Sequence, residues 1–145
     1  MDISNYIALG TALVAIAGLF WQIWTSNKQS KMQTFLTYTQ RYQDIVIHLP
    51  IGVESDKFEL TKDPKEREDI LRWLRSYFDL CSEEYYLNQS SLVDGKVWSL
   101  WKAGMSDSLK KPAFIQAWKE IQSNGYYHAK FASFIEGLIQ QAKNA

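Results

Sequence analysis

Apolar positions follow two different patterns along the chain. Residues 6–24 (YIALGTALVAIAGLFWQIW) are almost uninterrupted in apolar side chains and carry no charge. From residue 28 onward, apolar positions recur every three or four residues between charged ones. An unbroken run of this length predicts a transmembrane helix, whereas spaced stripes predict amphipathic helices with one face on a core. As a helix, residues 6–24 extend about 28 Å, close to the roughly 30 Å of bilayer hydrocarbon. Tyr6 marks one end of the run and Trp21 and Trp24 the other, where amphipathic aromatics favour the membrane–water interface.

The stripes predict an all-α fold of about five helices. Phe35, Tyr38, Tyr42, Ile45 and Leu49 carry the first helix past the membrane until Pro50 stops it. Residues 50–63 are expected to form a loop, which Phe58 and Leu60 tie down as a short turn or strand. Asp63 caps and Pro64 opens a second helix, with the stripe Ile70, Leu74, Tyr77, Phe78, Cys81 and Tyr85, running to about Asn88. Asp94-Gly95 opens a third, with Val97, Trp98, Trp101 and Met105 as its apolar set. Pro112 opens a fourth, with Phe114, Ile115, Trp118 and Ile121, and Asn124-Gly125 stops it. A fifth, over about residues 127–142, presents Phe131, Phe134, Ile135, Leu138 and Ile139. Residues 1–27 are thus expected to form a transmembrane anchor and residues 28–145 a compact helical domain.

Flanking charge decides how the apolar run is used. The chain begins Met-Asp-Ile-Ser, with no basic leader, and Phe-Trp-Gln-Ile-Trp stands where a signal peptidase needs small residues. A retained anchor is therefore expected rather than a cleaved signal peptide. No polar face marks the run as an interior helix. Asp2 precedes it, and Lys28, Lys31 and Arg41 follow it. The positive-inside rule then puts the C-terminal domain in the cytoplasm, with the anchor in a bacterial inner membrane. Ala8, Thr11, Ala15 and Gly18 form a ridge of small residues that would let two such helices approach closely, so a homo-oligomer is expected. Gly10 and Ala17 lie off that ridge.

The chain's formal net charge is zero, which argues against a duplex nucleic-acid partner. Cys81 is the single cysteine, so no intrachain disulfide forms, and a thiol at an apolar helical position serves as a small core residue. Asp79, Glu83 and Glu84 make an acidic patch on the second helix, and a solvated face is the plainer account of it. His48 and His128 each fall near a helix end, where a ring nitrogen meets backbone groups. No nucleophile elbow, glycine-rich phosphate loop or metal-ligand spacing occurs, so no catalytic residue, cofactor or metal is expected. The basic residues are more suggestive. Lys110 and Lys111 precede the helix opened by Pro112, and Arg72 and Arg75 flank Trp73. Lysines at a helix N-terminus and arginines beside an aromatic ring are ways to hold a small anionic ligand, against the plainer account of a solvated basic face.

The stretch Tyr77–Leu87, the pair Val97-Trp98 with Trp101, and the segment Pro112–Phe114 with Trp118 resemble a group of small bacterial single-pass proteins. Their anchor precedes a tryptophan-rich helical cytosolic domain, and that resemblance implies no catalytic residues. The layout is also similar to CRISPR-linked membrane effectors that sense a cyclic oligoadenylate, an architectural analogy. Together these imply a non-enzymatic, membrane-anchored oligomer that recognises a partner or an anionic ligand, such as a nucleotide messenger in antiviral defence, and acts through its anchor. The alternative is a passive adaptor that tethers a protein partner.

Overall fold

The computed structural model describes the backbone of residues 3–144 and the side chains of residue 11 and residues 13–144. The described residues form five helices and no strand: α1 (Ile3–Val46), α2 (Pro64–Gln89), α3 (Gly95–Ser108), α4 (Pro112–Gln122) and α5 (Ala129–Lys143). Two compact units share α1, with the boundary between Leu36 and Thr37.

In the first unit, every described large apolar side chain of the run is exposed: Leu13, Val14, Ile16, Leu19, Phe20, Trp21, Ile23 and Trp24. Trp21 and Trp24 pair with tilted rings, 5.7 Å between centres and 45° between planes, and the Lys28 ammonium lies 3.6 Å from the centre of the Trp24 ring. Among the described residues, no helix is long and apolar enough to cross a membrane. Of the run expected to span, the side chains of Tyr6, Ala8, Gly10 and Ala12 lie outside the described residues, as does Asp2 before it.

The second unit is held by caps and by an aromatic core. The Asp63 carboxylate accepts from the Glu66 amide at 2.9 Å, with Pro64 at the first helical position, and this starts α2. Asp94 starts α3 in the same way, accepting from the Lys96 amide at 2.8 Å. Three positions beyond the helices take a left-handed backbone: Gly52 (φ +88°) in the 47–63 connection, Ser91 (φ +57°) after α2 and Gly125 (φ +64°) after α4. Phe58 and Leu60 lie in that connection as turn and coil, with Leu60 buried.

α2 is the central element, packing on α3 and α4, while α5 packs on α3. Its stripe Ile70, Leu74, Tyr77, Phe78 and Cys81 is buried, and so is the α5 stripe Phe131, Ile135, Leu138 and Ile139. Trp118 of α4 is fully buried between Phe78, Tyr127 and Phe131, and its indole Nε1 donates to Glu136 at 2.6 Å. Two expected stripes are shallower than their spacing implies. Only Met105 of the α3 set is buried, because Val97, Trp98 and Trp101 lie at the margin of the core. Tyr42 of α1 is 39% exposed, because α1 enters the core only at its last turn, through Ile45, followed by Leu49.

Trp118→Ala should therefore destabilise the domain by about 3–5 kcal/mol, whereas Asp94→Ala, which removes one cap, should cost about 1 kcal/mol. Urea unfolding followed by near-ultraviolet circular dichroism measures both.

Candidate functional site

The structure distributes the five basic and aromatic residues singled out in the sequence over three places. Arg72 and Arg75 line a cleft of about 350 Å³ between α2 and the C-terminal end of α4, together with Glu68, Glu120, Ile121 and Tyr126. Trp73 points to another face, where it stacks flat on His48 at 4.0 Å (11° between planes). Lys110 and Lys111 stand at the opposite end of α4 from the cleft, about 16 Å away along a helix of this length.

Most of these cations already have an anion. Lys110 pairs with Asp107 at 2.8 Å, Lys111 with Asp56 at 3.1 Å, and Arg72 with Glu68 and Asp69 at 3.0 and 3.5 Å. Arg67 reaches across the cleft to Glu120. Exposed pairs of this kind are each worth only about 0–1 kcal/mol, but they supply the charge that an incoming anion would otherwise supply. Arg75 differs: its guanidinium carbon lies 3.8 Å from the centre of the Tyr126 ring, and Tyr126 is half exposed. The cleft thus offers one stacked guanidinium between carboxylates.

The acidic residues of α2 are not the solvated face that their spacing implied. Each has a different fate. The Asp79 carboxylate accepts from the Tyr127 hydroxyl at 2.8 Å, linking α2 to the segment before α5. Glu83 receives a two-pronged bond from Arg41 of α1, at 2.5 and 3.0 Å, and a third bond from the Tyr38 hydroxyl at 3.0 Å. These bonds hold the Glu83 carboxyl below its ordinary range, the Arg41 bond contributing most. Glu84 is buried, with 6% of its surface exposed, and it is the one charged side chain in the core among the described residues. Burial pushes its carboxyl up to about 8, against a smaller opposing pull from Arg41, and no hydrogen bond contributes. Cys81, one turn earlier, is fully buried, and burial raises its thiol well above the ordinary value, so it is a core residue rather than a nucleophile.

Both histidines act on backbone. His48 donates from Nδ1 to the Asp44 carbonyl at 2.7 Å, at the end of α1, and the His128 ring accepts from the Lys130 amide at 3.3 Å as the N-cap of α5. Among the described residues, no group of three or more metal-ligating side chains converges. Sequence spacing missed Glu84 because residues 83 and 84 differ by only 100° around the helix. The available signal was Cys81, which shares the face of Glu84 three residues on and was read as core. No family model, curated protein or solved structure matches this chain.

Between the ordinary carboxyl value of 4.5 and about 8, folded protein keeps a proton on Glu84 that unfolded protein has lost. Stability should therefore fall as pH rises through that window, by at most about 1.4 kcal/mol per pH unit, and level off above it. Glu84→Gln should remove this slope. Urea unfolding at pH 5, 6.5 and 8 compares the two proteins, and equal slopes would contradict the assignment.

Proposed function

We propose that this chain is a membrane-anchored, non-enzymatic recognition protein, with its apolar N-terminal run in a bacterial cytoplasmic membrane and its helical domain on the cytoplasmic side. One observation carries this proposal. Among the described residues, Leu13, Val14, Ile16, Leu19, Phe20, Trp21, Ile23 and Trp24 are each at least half exposed. The Trp21–Trp24 pair and Lys28 over Trp24 suit the boundary between hydrocarbon and headgroups. The cations Lys28, Lys31 and Arg41 support the cytoplasmic side for the domain.

Self-association through one face of the anchor belongs to the same proposal. At 100° per residue, Thr11, Ala15, Gly18 and Gln22 fall on one stripe, with Leu13, Phe20 and Trp24 on the far side of the helix and Val14 and Leu19 flanking the stripe. Small residues permit close approach and a glutamine amide can bond across the helix pair. A side chain built at Gly18 meets nothing within 4 Å in this chain. Ala15→Leu with Gly18→Leu should leave the domain fold intact and abolish crosslinked dimers in membranes. Undiminished crosslinking would remove the ridge from the account.

In this scheme the domain recognises a small ligand at the Arg75–Tyr126 cleft, or a protein partner, and the response passes along α1. A ligand moves such a system only if it binds two arrangements with different affinity. The pairing of Lys110, Lys111 and Arg72 with carboxylates of the same chain favours the second reading, an adaptor that tethers a protein partner. A thermal-shift screen with nucleotides separates them: stabilisation that Arg75→Ala removes supports the sensor.

Vesicle flotation tests the anchor. The intact chain should float with liposomes and resist carbonate, and Ile16→Lys with Leu19→Lys should shift it to the soluble fraction. Release of the unmodified chain by carbonate would overturn the proposal.

A further inference from the structure

Between Thr25 and Arg41, the exposed large apolar side chains of α1 are Met32 and Leu36, at 59% and 58% exposed. They lie beyond the apolar run, in a stretch that carries Lys28, Lys31 and the amides of Asn27, Gln29 and Gln33. Hydrocarbon does not cover a stretch of that polarity. Residues 25–36 close the first unit and extend about 17 Å along the helix.

Met32 and Leu36 continue a stripe that begins in the run. Thr11, Ala15, Gly18 and Gln22 are followed by Thr25, Gln29, Met32 and Leu36, at steps of four and three residues in unbroken alternation. Such alternation marks the two core positions of a coiled coil, and Leu36 repeats the position of Gln29, Gln22 and Ala15. No member of the stripe is charged. Lys28 and Lys31 project about 90° and about 150° from its midline.

We propose that a second copy of this chain covers the stripe, so that two α1 helices pair in parallel and in register as far as Leu36. This rests on the anchor pairing proposed above and extends it by about three helical turns beyond the run. The charge pattern selects the occupant. In a parallel, in-register pair each residue meets its own copy, and any charge on the stripe would meet its like. The polar members suit the same arrangement. A glutamine amide both donates and accepts, so Gln22 and Gln29 can each bond to their own counterparts and fix the register. The Thr25 hydroxyl already donates to the Trp21 carbonyl at 2.9 Å, so enclosing it leaves no donor unpaired.

Disulfide scanning of the full chain in phosphatidylethanolamine–phosphatidylglycerol vesicles tests the pairing. Gln29→Cys, Met32→Cys and Leu36→Cys are compared with the far-side set Asn27→Cys, Lys31→Cys and Thr34→Cys, each alone on a Cys81→Ala background. A disulfide needs Cβ atoms about 4 Å apart, so the stripe set should crosslink to its own copy at least about tenfold faster than the far-side set. Met32→Asp with Leu36→Asp should abolish the Gln29→Cys disulfide and leave that of Gly18→Cys intact. Gly18→Cys also separates this inference from the anchor pairing. If it crosslinks while the two sets react alike, the anchor pairs, the extended seam is overturned, and Met32 and Leu36 are left to a different protein partner. If the stripe set crosslinks and Gly18→Cys does not, the seam stands and the anchor pairing fails. If Gly18→Cys and the stripe set all fail to crosslink, both are overturned.

Discussion

The first unit of the longest helix carries a run of large apolar side chains that its own described residues leave exposed. Eight large apolar side chains between Leu13 and Trp24 are exposed. Removing each from water is worth about 1.5–3 kcal/mol, so the group as a whole is worth on the order of 10–20 kcal/mol. A small domain is stable by only about 5–15 kcal/mol in total. A helix bearing such a deficit does not remain bare in water, and the functional proposal begins from what covers it: hydrocarbon around most of the circumference, and a second copy along the Ala15–Gly18–Gln22 stripe.

The same helix ends in a different chemistry. Beyond Thr37 its contacts mix polar and aromatic groups: Arg41 and Tyr38 to Glu83, Tyr38 on Trp101, Tyr42 edge to face with Tyr77, the buried Ile45, and the His48–Trp73 stack after it. The α2–α4–α5 core, by contrast, is built on fully buried Trp118, Phe78 and Phe131. Arg41–Glu83 is half exposed and weak by itself, with side-chain exposures of 43% and 46%. The aromatic core thus meets a helix segment held in part by polar bonds to Glu83.

Much of the fold was legible because the code for it is local. Asp63-Pro64, Asp94-Gly95 and Pro112 each mark a helix start that the backbone obeys, and the α2 and α5 stripes fall on the core as their spacing requires. What was not legible depends on contacts between distant residues. Arg41 with Glu83, Tyr127 with Asp79, and Lys111 with Asp56 are 42, 48 and 55 residues apart. Two of those pairings turned part of an apparent acidic face into separate interactions. The third paired Lys111, one of the cations that seemed free to bind an anion, while Arg75 lies on Tyr126. Tyr42 and the α3 tryptophans show the converse: helical spacing names the face that turns inward, not how far the core reaches.

The account stands on the environment of residues 13–24, and spin labels report that environment residue by residue. Single cysteines would be placed at each of these positions on a Cys81→Ala background, with the chain reconstituted in lipid. The account predicts that oxygen reaches the labels more readily than a polar nickel reagent throughout the run, with reduced access to both only near Ala15, Gly18 and Gln22. High access to the nickel reagent along the run would contradict it, as would shielding from both reagents at every position, which marks a helix enclosed by protein.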